Sequence, residues 1–79
     1  KTHANILIAI NANNEVWIDK ARYKLEDVKL QVERMYAENP KGAVVIQVDK
    51  EANAKTFASV LDSAKDSGVL DISLATVDK

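Results

Sequence analysis

The chain predicts an α+β fold: a two-layer sandwich of β-β-α-β-α-β order, with one mixed sheet and two helices on one face. Three observations lead there. The run Ala43-Val44-Val45-Ile46-Gln47-Val48 is rich in β-branched residues and bounded by polar ones, the pattern of a strand buried on both faces. Phe57, Val60, Leu61 and Ala64 then recur at steps of three and four, one apolar stripe on a helix, and Gly68 can take the left-handed conformation that ends it. Val69-Leu70-Asp71-Ile72-Ser73-Leu74 returns as an alternating strand. Strand, helix and strand in this order make two parallel neighbours joined by a right-handed crossover.

The remaining elements follow in chain order. Lys1 to Asn5 is polar and expected to fray, and Ile6-Leu7-Ile8-Ala9-Ile10 is a first strand with apolar residues on both faces. Asn11-Ala12-Asn13-Asn14 turns the chain, because Asn tolerates positive φ, into a short alternating second strand, Glu15-Val16-Trp17-Ile18. That strand suits an edge, and Asp19-Lys20-Ala21-Arg22 reads as a polar turn after it. Leu25, Val28, Val32, Met35 and Tyr36 mark an amphipathic helix over Leu25 to Glu38, with Glu26 and Asp27 at its positive end. Lys24 is a poor cap for it, and Asn39-Pro40 stops it. Asn53 is the expected cap of the second helix.

Strands one and three are apolar on both faces and belong in the centre, so the predicted sheet order is 2-1-3-4. Helices on one face leave Leu7, Ala9, either Val45 or the pair Val44 and Ile46, and Trp17 on the uncovered face. An apolar patch there is read as a dimer or partner surface. Trp17 is weighed both as a partner anchor and as a cover for its own core.

A chain of 79 residues forms one domain, 1–79, and its 47% hydrophobic and 29% charged content is that of a globular protein. Lys and Arg total 11 against 12 Asp and Glu without a block of either sign, which argues against nucleic-acid binding. There is no Cys, so thiol chemistry and thiolate metal sites are excluded. The apolar run Ile6 to Ile10 is far short of the roughly 20 residues a bilayer span needs, and the segment reads as soluble. With Lys1 first and Met35 the only methionine, it is expected to be part of a longer protein.

No catalytic residue, metal site or cofactor is expected. His3 is a lone imidazole in a polar tail, and no triad, HExxH or glycine-rich phosphate loop can be assembled from these residues. Asp49, Glu51, Asp62, Asp66, Asp71 and Asp78 could in principle pair for acid-base work or hold a divalent cation, but most of them read as solvated charges on turns and helix faces. Asp49-Lys50 sits at the carboxyl end of a central strand, where ligands gather in α/β sheets, but Asp49 is better explained as a residue that turns the chain and accepts from backbone amides. Met35, Tyr36 and Phe57 read as core.

Ala43 to Lys50, followed by Phe57, Val60-Leu61-Asp62, Ala64, Ser67-Gly68-Val69, Ile72, Leu74 and Thr76, resembles the carboxy-terminal periplasmic domain of the ExbD/TolR family. Ala4-Asn5-Ile6, the Asn-rich turn, and Val32-Glu33-Arg34-Met35 ahead of Asn39-Pro40 resemble the ExbD branch more closely. Asn14 stands where the family usually has Gly, and Val48 where it often has Ala. The resemblance implies a single-pass transmembrane protein of a Gram-negative inner membrane, with a periplasmic domain that acts in protein transport rather than as an enzyme. Its family partners are ExbB, which shares proton flow in the membrane, and TonB, which the proton motive force drives to open outer-membrane transporters for iron-siderophores and vitamin B12. A homodimer is also implied. Three other readings compete: a TolR-like Tol-Pal subunit that binds peptidoglycan and maintains the envelope, a small α/β enzyme of acylphosphatase-like arrangement, and a free-standing dimerisation domain.

A sheet of this order has open edges to which an extended partner segment can add. The expected edge is the last strand: Leu70, Asp71, Ile72, Ser73, Leu74, Ala75 and Thr76, with its apolar alternates inward and Asp71 and Ser73 outward. Ser73→Pro tests this reading if the Ser73 amide points away from the sheet.

Overall fold

A computed structural model describes residues 5–78 of the chain. The expectations for His3 and for a frayed start over residues 1–4 lie outside the described residues. The elements are β1 (Ile6–Ile10), β2 (Val16–Ile18), β3 (Ala21–Tyr23), α1 (Leu25–Glu38), β4 (Val44–Asp49), α2 (Ala54–Asp66) and β5 (Ile72–Val77). They form the expected α+β sandwich around one mixed sheet of order β3-β2-β1-β4-β5. β1, β4 and β5 run parallel, while β2 is antiparallel to β1 and β3 to β2.

Two expectations about the sheet are corrected. Asp19-Lys20-Ala21-Arg22 is not a polar turn throughout: Ala21 and Arg22 open a fifth strand, so the second strand is interior and the edge passes to β3. The reversal needs only Asp19 and Lys20, which hold φ of 52° and 70°. Two successive positive φ values match the right-handed twist of a tight hairpin, but Asp-Lys lacks the Asn or Gly that normally announces one. The last strand is also displaced. It begins at Ile72 rather than Val69 or Leu70 and ends at Val77, leaving Leu70 and Asp71 in the connection from α2. Val69 is buried in the core, whereas Leu70 is 94% exposed and is not one of its inward alternates.

Helix-side residues form continuous rows across the sheet, because paired residues on adjacent strands point to the same side. Ile18, Ile8 and Ile46 make one such row, and Ile6 with Val44 another. Val28 and Val32 of α1 and Val60 and Ala64 of α2 close over them, so both helices cover one face as expected. Met35, Tyr36, Phe57 and Leu61 pack against this core. Leu25, which the helical stripe includes, instead projects into solvent at the start of α1.

Local chemistry fixes the ends of the elements. Gly68 has φ +93°, the left-handed conformation expected beyond a helix end. Lys24 gives α1 no side-chain cap, whereas the Asn53 side chain accepts from the Lys55 amide at 2.7 Å and caps α2. Asn53→Ala is expected to cost about 1 kcal/mol, read as a lower urea midpoint with an unchanged m-value. Equal midpoints would show that the cap contributes nothing here.

Candidate partner-binding edge

Among the described residues, β5 is paired on one side only. The amide of Val44 donates to the Asp71 carbonyl at 2.9 Å, and the amide of Lys50 donates to the Val77 carbonyl at 3.0 Å. Backbone groups alternate in direction along a strand, so Ser73 and Ala75, between these two anchors, also point their N–H and C=O toward β4. Ile72, Leu74 and Thr76 therefore direct theirs to the open edge. This corrects the choice of Ser73 as the test position. Its side chain is exposed as expected, but its amide belongs to the internal ladder.

The open edge adjoins a groove of about 400 Å³ on the helix side of the sheet. Its walls include Leu74 and Thr76 of β5, Val48 of β4, and Ala54 and Phe57 of α2. Ala75 also lines it, as do Asp49, Lys50 and Ala52 of the connection into α2. Neither Ala54 nor Phe57 carries a signal in the sequence beyond helix start and core stripe. Only the return of α2 alongside β5 brings them to the edge.

The connection is rigidly hydrogen-bonded. The Asp49 carboxylate accepts from the Glu51 amide at 2.9 Å, and the Asp49 carbonyl accepts from the Ala52 amide at 2.9 Å. Asp49 is thus the turn-forming residue that its strand-end position suggests. Asn14, with φ 65°, accepts from the Asn53 amide at 2.5 Å, which ties the first hairpin to the start of α2. Asn11 holds the hairpin itself, accepting from the Asn13 and Glu15 amides at 3.0 and 2.9 Å. Lys50 pairs with Asp78 at 3.0 Å just beyond β5. Both ions are largely exposed, so this pair adds little to stability.

On the uncovered face, Leu7 is 43% and Trp17 37% exposed, and each lies on the side opposite the buried isoleucines. Ala9 pairs with Trp17 and with Gln47, and Val45 pairs with Leu7 and with Ser73, so Val45 belongs to this face and Val44 and Ile46 to the core. A depression of about 290 Å³ is lined by Leu7, Ala9, Trp17, Asp19 and Lys20, with Asn5 and Met35. Arg22, opposite Trp17 on β3, pairs with Glu15 at 3.3 Å. Among the described residues, no group of three or more His, Cys, Asp or Glu is placed to hold a metal ion, and no helix is long and apolar enough to cross a membrane.

The family model described as "Biopolymer transport protein ExbD/TolR" matches residues 1–79, the whole chain. The chain belongs to the ExbD/TolR family. A biopolymer transport protein named exbD2 from Vibrio cholerae serotype O1 is 39% identical over 72 residues. That alignment takes in 91% of this chain and 54% of the relative, so the chain spans about half the length of the ExbD protein it matches. The family is one of transport-associated proteins.

Proposed function

We propose that this ExbD/TolR chain is the single periplasmic domain of an ExbD-like subunit, a coupling module in a proton-motive-force-driven complex with ExbB and TonB. The open edge of β5 carries the reading: Ile72, Leu74 and Thr76 offer three successive sets of backbone donors and acceptors to an extended segment. The segment is supplied by the periplasmic region of TonB, which passes the motion on to outer-membrane uptake of iron-siderophores and vitamin B12. The subunit works as a homodimer, held to the inner membrane and to ExbB by a membrane helix outside this domain. Leu7, Ala9 and Trp17 provide the surface for the second copy. Identity to a protein named exbD2 supports the ExbD branch over the TolR branch.

The test is an NMR titration of the isotope-labelled domain with peptides from the TonB periplasmic region. Saturable shifts concentrated on Ile72 to Val77 are expected. Shifts with peptidoglycan fragments and none with TonB peptides would replace this reading with the TolR-like one.

A further inference from the structure

Given strand addition at β5, on which this rests, we infer that Asn14 is a positioning residue for the partner edge. From the first hairpin it completes the N-terminal cap of α2, and so fixes how Ala54 and Phe57 stand against β5.

A helix start leaves amides without intrahelical acceptors, and the cap residue answers one of them with its side chain. Asn53 does so for the Lys55 amide at 2.7 Å. The amide of the cap residue itself is commonly met by a Glu or Gln three residues on. Thr56 holds that position here, and the Asn53 amide donates instead to the side-chain oxygen of Asn14 at 2.5 Å, across 39 residues of sequence. The hairpin does not need that oxygen for its own turn. Asn11 holds the turn, accepting from the Asn13 and Glu15 amides through its side chain and from the Asn14 amide through its carbonyl at 2.9 Å. With φ of 65°, the backbone at Asn14 would suit glycine better. Asparagine carries that strain and supplies an acceptor that glycine lacks.

The bond ends where the groove begins. Ala52 and Ala54, on either side of Asn53, both line the groove, and so does Phe57, whose amide donates to the Asn53 carbonyl at 3.1 Å. At its other end the connection is fixed to β5, because the Lys50 amide donates to the Val77 carbonyl at 3.0 Å. The Glu51 and Ala52 amides between them are satisfied by Asp49. Hydrogen bonds of residues 50 to 53 thus lead from β5 along the connection to the hairpin, and Asn14 is the contact at the hairpin end. The site is exposed, so water can replace the lost acceptor and the fold survives. What is lost is the fixed position of the first turn of α2 beside β5.

The experiment compares the wild-type domain with Asn14→Gly and Asn14→Asp by melting temperature, by NMR shifts of the groove residues and by affinity for TonB periplasmic peptides. Glycine keeps the turn and removes the acceptor, whereas aspartate keeps an acceptor oxygen at the same place. Asn14→Gly is expected to melt within a few degrees of wild type, yet to shift the amides of Ala54, Phe57, Leu74 and Thr76 and to bind peptide about fivefold more weakly. Asn14→Asp is expected to keep the wild-type groove shifts and affinity. Shifts confined to the hairpin and Asn53 in Asn14→Gly, with wild-type affinity, would overturn the inference. Groove shifts and weakened binding as large in Asn14→Asp as in Asn14→Gly would also overturn it, since the turn rather than the acceptor would then be their source. Unfolding of Asn14→Gly would do the same by making the residue merely structural. Groove shifts in Asn14→Gly with no peptide binding by the wild-type domain would support the positioning role and overturn strand addition at β5.

Discussion

Ile46→Ala is expected to lower the melting temperature of the domain by roughly 15–25 °C. Ile46 is wholly buried in β4, where it pairs with Ile8 on one side and Leu74 on the other. Truncation removes about three methylene-sized groups from the centre of the sheet, beneath both helices, and costs about 2–5 kcal/mol with the residual cavity included. A domain of 79 residues has roughly 4–12 kcal/mol in total, so a large share of the margin is lost. Thermal unfolding followed by circular dichroism measures the change. A shift of only a few degrees would mean that the helices settle into the vacancy and that the core is less tightly fixed than its burial implies.

Two proline substitutions one residue apart on β5 are expected to fail in different ways. In Ser73→Pro the lost N–H belongs to the ladder with β4, where its acceptor is the Val44 carbonyl. An acceptor left unpaired inside the sheet costs about 1–3 kcal/mol, and the pyrrolidine ring crowds β4 as well. The fold suffers first and binding is lost with it. In Leu74→Pro the lost N–H is one that faces the open edge, the one orientation in which a strand tolerates proline. The domain stays folded, but its central outward donor is gone and the ring stands where an added strand must lie. Affinity for an extended partner is expected to fall about tenfold or more. Paired unfolding curves and peptide titrations separate the two effects. A folded Leu74→Pro domain with wild-type affinity would remove β5 from consideration as the binding edge.

The single Ser73 residue shows where pattern reading stops. Alternation in the sequence places the Ser73 side chain outward, and it is exposed. Alternation says nothing about which set of amides faces the neighbouring strand, because side chains leave perpendicular to the sheet while backbone groups lie within it. The phase of the ladder comes from the register between β4 and β5, which is a tertiary property. The same limit explains Leu70. Val69-Leu70 reads as the opening of an alternating strand, but the chain must first return from Gly68 to the level of Val44, where pairing begins at Ile72.

The sequence by itself determined the class of fold, the two helices with their stripes and ends, the central position of Ile6–Ile10 and Val44–Asp49, and family membership. Each of these follows from local periodicity, from the conformational limits of Asn, Pro and Gly, or from residues at matching spacing. The tertiary structure decided what lies at the edges. A hairpin built on Asp19 and Lys20 makes β3 and moves Trp17's strand inward, because pairing with β2 compensates for two positive φ values that neither residue advertises. The groove beside β5 lies where α2, tied at Asn53 to the first hairpin, runs back past an edge strand whose Leu74 is left half exposed. The hairpin is a local feature that neither of its turn residues announces, whereas contacts between residues distant in the chain set the groove.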